Sequence, residues 1–233
     1  FTSGVSLTVR NLNVTWEDGQ KVLSDIGFDV SPGQIIGITG PVACGKTTLA
    51  RVLIGELAYE GSIKLGTTEL SEMSDYEKSR MISYMGHQPE LMSDTLEENV
   101  CLGEKKETAP YFRTVCLDEE IGKMPLREKT YVGSNGIRLS GGQQARCALA
   151  RTLFHDAQIL ILDDPFSAVD QKTEQEIFDN LKKIAEGRTI LLISHRLKLF
   201  PQMDKVLFME KGHAEFASHE DLLRMNHIYA GLY

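Results

Sequence analysis

Eight consecutive residues, Gly40-Pro41-Val42-Ala43-Cys44-Gly45-Lys46-Thr47, place a lysine and a hydroxyl behind a loop with glycine at both shoulders. That set is suited to holding the phosphates of a nucleotide triphosphate. The apolar run Gln34-Ile35-Ile36-Gly37-Ile38-Thr39 before it reads as a buried strand, and Thr47-Thr48-Leu49-Ala50-Arg51-Val52-Leu53-Ile54 after it reads as a helix. Backbone N–H groups at the start of such a helix lack partners of their own, and the positive end of the helix dipole adds to their pull on an anion. Lys46 then bridges the outer phosphates as a point charge, while the Thr47 hydroxyl ligates magnesium. A glycine-rich turn leading into a surface helix is the plainer alternative, and the motifs further along the chain weigh against it.

The run Ile159-Leu160-Ile161-Leu162-Asp163-Asp164 is an apolar strand that ends in two carboxylates. In a parallel sheet this end shares an edge with the phosphate loop. Asp163 is suited to hold magnesium, directly or through water, and Asp164 to position or deprotonate an attacking water. Either carboxylate could instead cap the turn at Pro165, and that alternative is the stronger for Asp164. Upstream, Leu139-Ser140-Gly141-Gly142-Gln143 opens a helical pattern in which Ser140 can cap and two glycines let a phosphate approach the exposed N–H groups. An ordinary capped helix accounts for Ser140 equally well. It does not account for two glycines in a first turn, where each costs about 1 kcal/mol relative to alanine.

The elements that must position these residues follow from apolar periodicity. Segments 5–16 and 22–30 alternate apolar and polar residues around Asp18-Gly19, which predicts an antiparallel β region ahead of the phosphate loop. Residues 88–155 lack strong strand signals and predict an inserted helical subdomain, including a helix over 140–154 with Ala145, Ala148, Leu149 and Leu153 on one face. The core then comprises residues 1–87 and 156–233, in a single domain spanning 1–233. Continuous apolar runs at 158–162, 188–193 and 205–209 fit strands of a mainly parallel sheet covered on both faces, with an amphipathic helix at 171–185. The expected class is α/β.

Composition narrows the function. With 233 residues, 42% hydrophobic and 25% charged, and a net charge of −8, the chain has ample core and no general affinity for nucleic acid. No apolar run approaches the roughly 20 residues that cross a bilayer, and no signal peptide is visible, so the chain as given is expected to be soluble. The four cysteines, 44, 101, 116 and 147, have no paired metal spacing and are expected to be free thiols. Phe1-Thr2-Ser3-Gly4 has no pattern and reads as a trimmed start.

Phosphate loop, Leu-Ser-Gly-Gly-Gln segment and Asp-terminated strand, in this order, resemble the nucleotide-binding domain of an ABC transporter over residues 5 to 233. The resemblance implies a P-loop core, ATP and Mg2+ as ligands, and a head-to-tail pairing with a second nucleotide-binding domain, like or unlike. In that pairing the signature Ser140, Gly141, Gly142 and Gln143 faces the partner's ATP. It implies further that Trp16 stacks on adenine, although a lone tryptophan in a strand is more often core. Gln88 would touch magnesium and the attacking water, unless it is a surface turn before Pro89. Ser167-Ala168-Val169-Asp170 would pass signals across the dimer, Asp170 being alternatively an N-cap, and His195 would contact the γ-phosphate.

Two departures from the family pattern stand out: Asp164 occupies a place usually held by Glu, which puts hydrolysis in doubt, and Ala43 and Cys44 replace more usual loop residues. Cys44, beside Lys46 and a helix start, is expected to be a reactive thiol that ATP shields. Thr130-Tyr131-Val132-Gly133-Ser134-Asn135-Gly136, Asp94-Thr95-Leu96-Glu97-Glu98-Asn99-Val100 and the ending from His219 to Tyr233 are similar to exporter segments. They imply a transmembrane domain as partner and a place on the cytoplasmic face of the membrane. The chain would be an excised cytosolic domain whose transmembrane domain lies on the same full-length protein, although a separately encoded subunit would give the same soluble chain. A nucleotide-gated regulatory module that scarcely hydrolyses ATP is the alternative. A non-transport ATPase of the DNA-repair or translation type would be expected to show a basic surface or long coiled-coil segments.

Overall fold

The computed structural model describes residues 4–233, so Phe1, Thr2 and Ser3 of the patternless start lie outside the described residues. Its strands are β1 (Leu7–Thr15), β2 (Lys21–Val30), β3 (Ile35–Thr39), β4 (Glu60–Leu65), β5 (Thr68–Glu69), β6 (Ile82–Met85), β7 (Ile159–Asp163), β8 (Thr189–Ile193), β9 (Lys205–Glu210) and β10 (His213–Ala217). They form a four-stranded sheet in the order β2-β1-β4-β5 and a six-stranded sheet in the order β10-β9-β3-β8-β7-β6. The first is antiparallel throughout. The second is parallel except for the β9–β10 hairpin at its edge. Alternation in β1 and β2 and the turn at Asp18-Gly19 produce the predicted hairpin, with Trp16 N–H donating to the Gln20 carbonyl at 2.9 Å and Thr15 opposite Lys21.

The long apolar runs are explained by burial on both faces. Leu160, Leu162, Ile190 and Leu192 face one core together with the helices α6 (Gly141–Phe154) and α7 (Gln171–Ala185). Their alternating neighbours Ile159, Ile161, Leu191 and Ile193 face a second core, shared with β1, β2 and the helix α1 (Lys46–Leu53). The parallel sheet is therefore the middle layer, and β3, β8 and β7 at its centre carry the loops of interest on one edge.

The helix α2 (Asp75–Met81) precedes β6, and residues 88–155 contain the short helices α3 (Leu96–Cys101), α4 (Ala109–Thr114) and α5 (Asp118–Gly122) as well as α6. No named strand falls there among the described residues, only an isolated bridge between Thr95 and Tyr131. The single apolar face expected for 140–154 needs correction. Arg146, Cys147, Ala150 and Phe154 are buried along with the four residues of that face, so α6 is enclosed nearly all round. Its last turn also fixes the segment after β6: the Arg151 guanidinium donates to the Asn99 carbonyl at 2.7 Å, the Glu90 carbonyl at 2.9 Å and the Asn99 side chain at 2.9 Å. Among the described residues no helix is long and apolar enough to cross a membrane.

Candidate functional site

β3 delivers its loop at the centre of the parallel sheet. At Gly40 the chain turns with φ 151°, and a side chain there would overlap the Met209 carbonyl oxygen, so only glycine fits. Gly45 then caps α1 with φ 103° and leaves the first helical N–H groups without a side-chain cap. Ala43 also takes a left-handed φ, 62°, a conformation that disfavours any residue with a Cβ. Lys46 is 7% exposed, and its ammonium donates to the carbonyls of Gly40 at 2.9 Å and Pro41 at 2.8 Å. No acidic side chain pairs with it among the described residues. A cation held only by its own loop's carbonyls is poised to exchange them for an anion. Cys44, expected as a reactive thiol, is 5% exposed with its sulfur 3.6 Å from Lys46 Nζ. Its sulfur packs toward Gly40, so little of the thiol is exposed.

Strand β7, separated from β3 by β8, ends in Asp163, which is buried. Its Oδ2 accepts from Thr47 Oγ1 at 3.1 Å and from Tyr84 Oη at 3.5 Å. Burial pushes the Asp163 carboxyl above its usual value, against the hydrogen bond from Thr47. Burial, and then the charge of Asp163, push the Tyr84 phenol up to about 12, so it stays protonated and donates. A buried carboxylate and hydroxyl, brought together from β7 and α1, have the chemistry of an oxygen site for a hard divalent cation.

An acid whose folded pKa is raised loses stability as pH climbs from its unfolded value through its folded one. At neutral pH Asp163 therefore weakens the nucleotide-free fold. Asp163→Asn, which keeps an acceptor for Thr47 and Tyr84, should raise the melting temperature at pH 7 and abolish the magnesium-dependent part of nucleotide affinity. Scanning calorimetry with and without Mg-ATP reads both, and a lower melting temperature in the nucleotide-free variant would contradict the argument.

A cavity of about 570 Å³ joins these groups, within the range of small-molecule sites. Trp16, Val42, Ala43, Cys44, Gly45, Lys46, Thr47, Thr48, Asp163 and His195 all line it. Trp16 is 38% exposed at the end of the β1–β2 hairpin and so is not a core residue. Gly40 and Pro41 stand behind the wall and act through their carbonyls on Lys46. His195 follows β8, where the Ser194 N–H bonds the Ile38 carbonyl at 3.1 Å and so keeps the His195 loop beside the end of β3. Gln88 is exposed and does not line the cavity; its neighbour His87 does. Asp164 is also outside the lining, with its side chain 13% exposed and its Oδ2 3.8 Å from His87 Nδ1. Sequence reading missed His87, although β6 ends at Met85 and the chain beyond it must leave at the same sheet edge.

Ser140, Gly141, Gly142 and Gln143 lie apart from this cavity. Ser140 caps α6 in a reciprocal box: its Oγ accepts from the Gln143 N–H at 3.2 Å and its own N–H donates to Gln143 Oε1 at 2.9 Å. Gly142 has a local reason to be glycine, since a Cβ would come within 2.8 Å of the Ala168 carbonyl oxygen. The loop from Ser167 to Asp170 thus packs on the start of α6, and Arg196 holds it from the other side through the carbonyls of Ser167 at 3.0 Å and Val169 at 2.9 Å. Asp170 caps α7 by accepting from the N–H groups of Lys172 and Thr173. These bonds, Thr173 first, hold its carboxyl below the usual value.

Comparison with known proteins agrees with this geometry. The ABC transporter family profile matches residues 23–167. The chain is 36% identical over 221 residues to an ATP-dependent lipid A-core flippase of Burkholderia thailandensis, an overlap covering 93% of this chain and 37% of that protein. It is 36% identical over 233 residues to the transport/processing ATP-binding protein ComA of Streptococcus pneumoniae, covering 97% of this chain and 32% of that one. A solved structure of a bacterial Atm1-family ABC exporter with ATP bound superposes with a TM-score of 0.94 at 29% identity, covering 100% of this chain and 42% of the other. The chain thus spans well under half the length of each of these relatives.

Proposed function

This chain belongs to the ABC transporter family, and we propose that it is the engine domain of an exporter, binding Mg-ATP in the cavity between Trp16 and the end of β7. The observation that carries the reading is the convergence of a buried, acid-free Lys46 ammonium and the Thr47–Asp163 pair on one cavity. Trp16 offers a face to the base. The N–H groups from Gly45 to Thr48 and the Lys46 ammonium take the phosphates, and His195 reaches the outer one. Thr47 and Asp163 fit Mg2+, which when bound supplies charge neutralisation for the outer phosphates. Gln88 would join this group only if its loop turned inward on binding.

Two such domains, the second like or unlike this one, would meet head to tail so that Ser140, Gly141, Gly142 and Gln143 of each close the other's ATP site. The Ser167–Asp170 loop and Arg196 would lie at that junction. A transmembrane domain is the other partner, which places the pair on the cytoplasmic face of a membrane. ATP would close the pair, and hydrolysis would reopen it to drive transport. The position of Asp164 behind the cavity wall favours a second reading as well, a nucleotide-gated module with little turnover.

Titration calorimetry with ATP, with and without Mg2+, tests the binding step. The expected result is saturable one-site binding that Mg2+ strengthens, with GTP a weaker control only to the extent that contacts beyond Trp16 stacking read the base. An absence of binding in both conditions would overturn the reading.

A further inference from the structure

β6 and β7 run parallel in the register Met85 to Leu162, and His87 and Asp164 each lie two residues further on, just past the strand ends. Side chains follow the backbone: His87 Nδ1 lies 3.8 Å from Asp164 Oδ2. Their exposures differ in a way that matters. The imidazole is 53% exposed and forms part of the cavity wall, whereas the carboxylate is 13% exposed and does not. His87 therefore lies on the cavity side of Asp164, in the wall of the proposed Mg-ATP site, and the inference rests on that site.

A carboxylate behind a histidine has a known physical consequence. When Nδ1–H donates to the carboxylate, the ring is fixed in one orientation and one tautomer, with Nε2 left as an acceptor. A gap of 3.8 Å closes to hydrogen-bonding distance with a small ring rotation, and catalytic contacts commonly tighten in the complex with substrate. Asp164 is one methylene shorter than glutamate, and a shortfall of about 1 Å can cost roughly 100-fold in rate. An imidazole standing between the short acid and the water restores part of that reach.

We infer that His87 is the group that holds the attacking water in this site, and that Asp164 is a positioning residue acting through it. In the step it serves, the water oxygen bonds to the γ-phosphorus as the bond from that phosphorus to the β,γ-bridging oxygen breaks. The bridging oxygen leaves on ADP with the electron pair. Of the two water protons, one stays on orthophosphate and one passes to solvent, so His87 needs only to accept a hydrogen bond from the water. His87 would then matter most where the acid behind it is short.

The test pairs a spectroscopic measurement on the nucleotide-free chain with single-turnover hydrolysis of γ-labelled ATP at saturating protein. Ring-nitrogen NMR should show the His87 signals shifting on Asp164→Asn, and unchanged signals would overturn the pairing. His87→Ala should lower single-turnover hydrolysis about tenfold with the ATP dissociation constant changed less than about threefold, and His87→Gln, which keeps a polar group, should recover most of it. In the Asp164→Glu background the longer carboxylate reaches the water itself, and His87→Ala should cost less than about twofold. Equal fold-losses in the two backgrounds, or wild-type hydrolysis no faster than the protein-free blank, would overturn the inference while leaving nucleotide binding intact. Failure of the chain to bind Mg-ATP at all would remove the underlying reading and the inference with it.

Discussion

Lys46→Ala is expected to reduce ATP affinity by 100-fold or more, about 2.7 kcal/mol at 25 °C. The ammonium sits 7% exposed with two carbonyl partners, at 2.9 and 2.8 Å, and no acid. A charge-assisted contact to a phosphate oxygen is roughly twice as strong as a neutral one, and here it forms where solvent is already largely excluded. The nucleotide-free fold should hardly notice the change, because losing two hydrogen bonds is offset by no longer burying an unpaired cation. Binding shifts apparent stability by mass action, so wild-type protein at 100 times its dissociation constant should gain about 2.7 kcal/mol and the variant almost none. Thermal melts with and without Mg-ATP, alongside calorimetry, read both quantities. An unchanged dissociation constant would mean that Lys46 does not face the phosphates.

The parts of this arrangement that could be read from sequence are those where one residue type has one physical job. Continuous apolar runs gave β3, β7, β8 and β9 because strands covered on both faces tolerate nothing else. The loop from Gly40 to Thr47 was legible because the turn at Gly40 admits no side chain. The strands β4, β5, β6 and β10 were not recognised. β6 has only four residues, of which Ser83 and Tyr84 are half-buried, and β10 is an edge strand with no fully buried residue, so neither has a period to detect.

Missing β6 had a direct consequence, because the residue at its carboxyl end is the one the cavity receives. Met85, the strand's last residue, is the reference that puts His87 at the sheet edge, whereas Gln88 is singled out only by the family resemblance. For Cys44, closeness to Lys46 and a helix start bears on the thiolate and not on exposure, and the residue is 5% exposed with its sulfur packed toward Gly40. Gly142 was read for the approach of a phosphate, and the structure adds a contact within the chain, the Ala168 carbonyl, that local sequence does not reveal.

Asp164→Glu is expected to raise ATP turnover by the isolated chain tenfold or more, because the added methylene carries the carboxylate past the cavity wall toward the water, and about 1 Å of reach is worth up to roughly 100-fold. The wild-type chain alone should turn over slowly, since its Asp164 side chain is set back behind His87. The backbone opposes the substitution slightly. Asp164 has φ 53°, a left-handed conformation that short polar side chains take more readily than longer ones, so the variant should melt a little earlier than wild type.

A gain in turnover with a small loss of stability would mark this site as one restrained in hydrolysis while still able to bind. Such a domain suits the weak half of an unlike pair: it occupies its own ATP while its Ser140 segment, capped and complete, serves the partner's site. Ser140→Ala should then leave the chain's own ATP affinity unchanged and lower turnover only when a competent partner domain is present. Steady-state ATPase of the wild-type chain and of Asp164→Glu, each alone and with a hydrolytic partner domain, measures all of this. Brisk turnover by the isolated wild-type chain that Asp164→Glu leaves unimproved would defeat the unlike-pair reading and favour two equal, active sites.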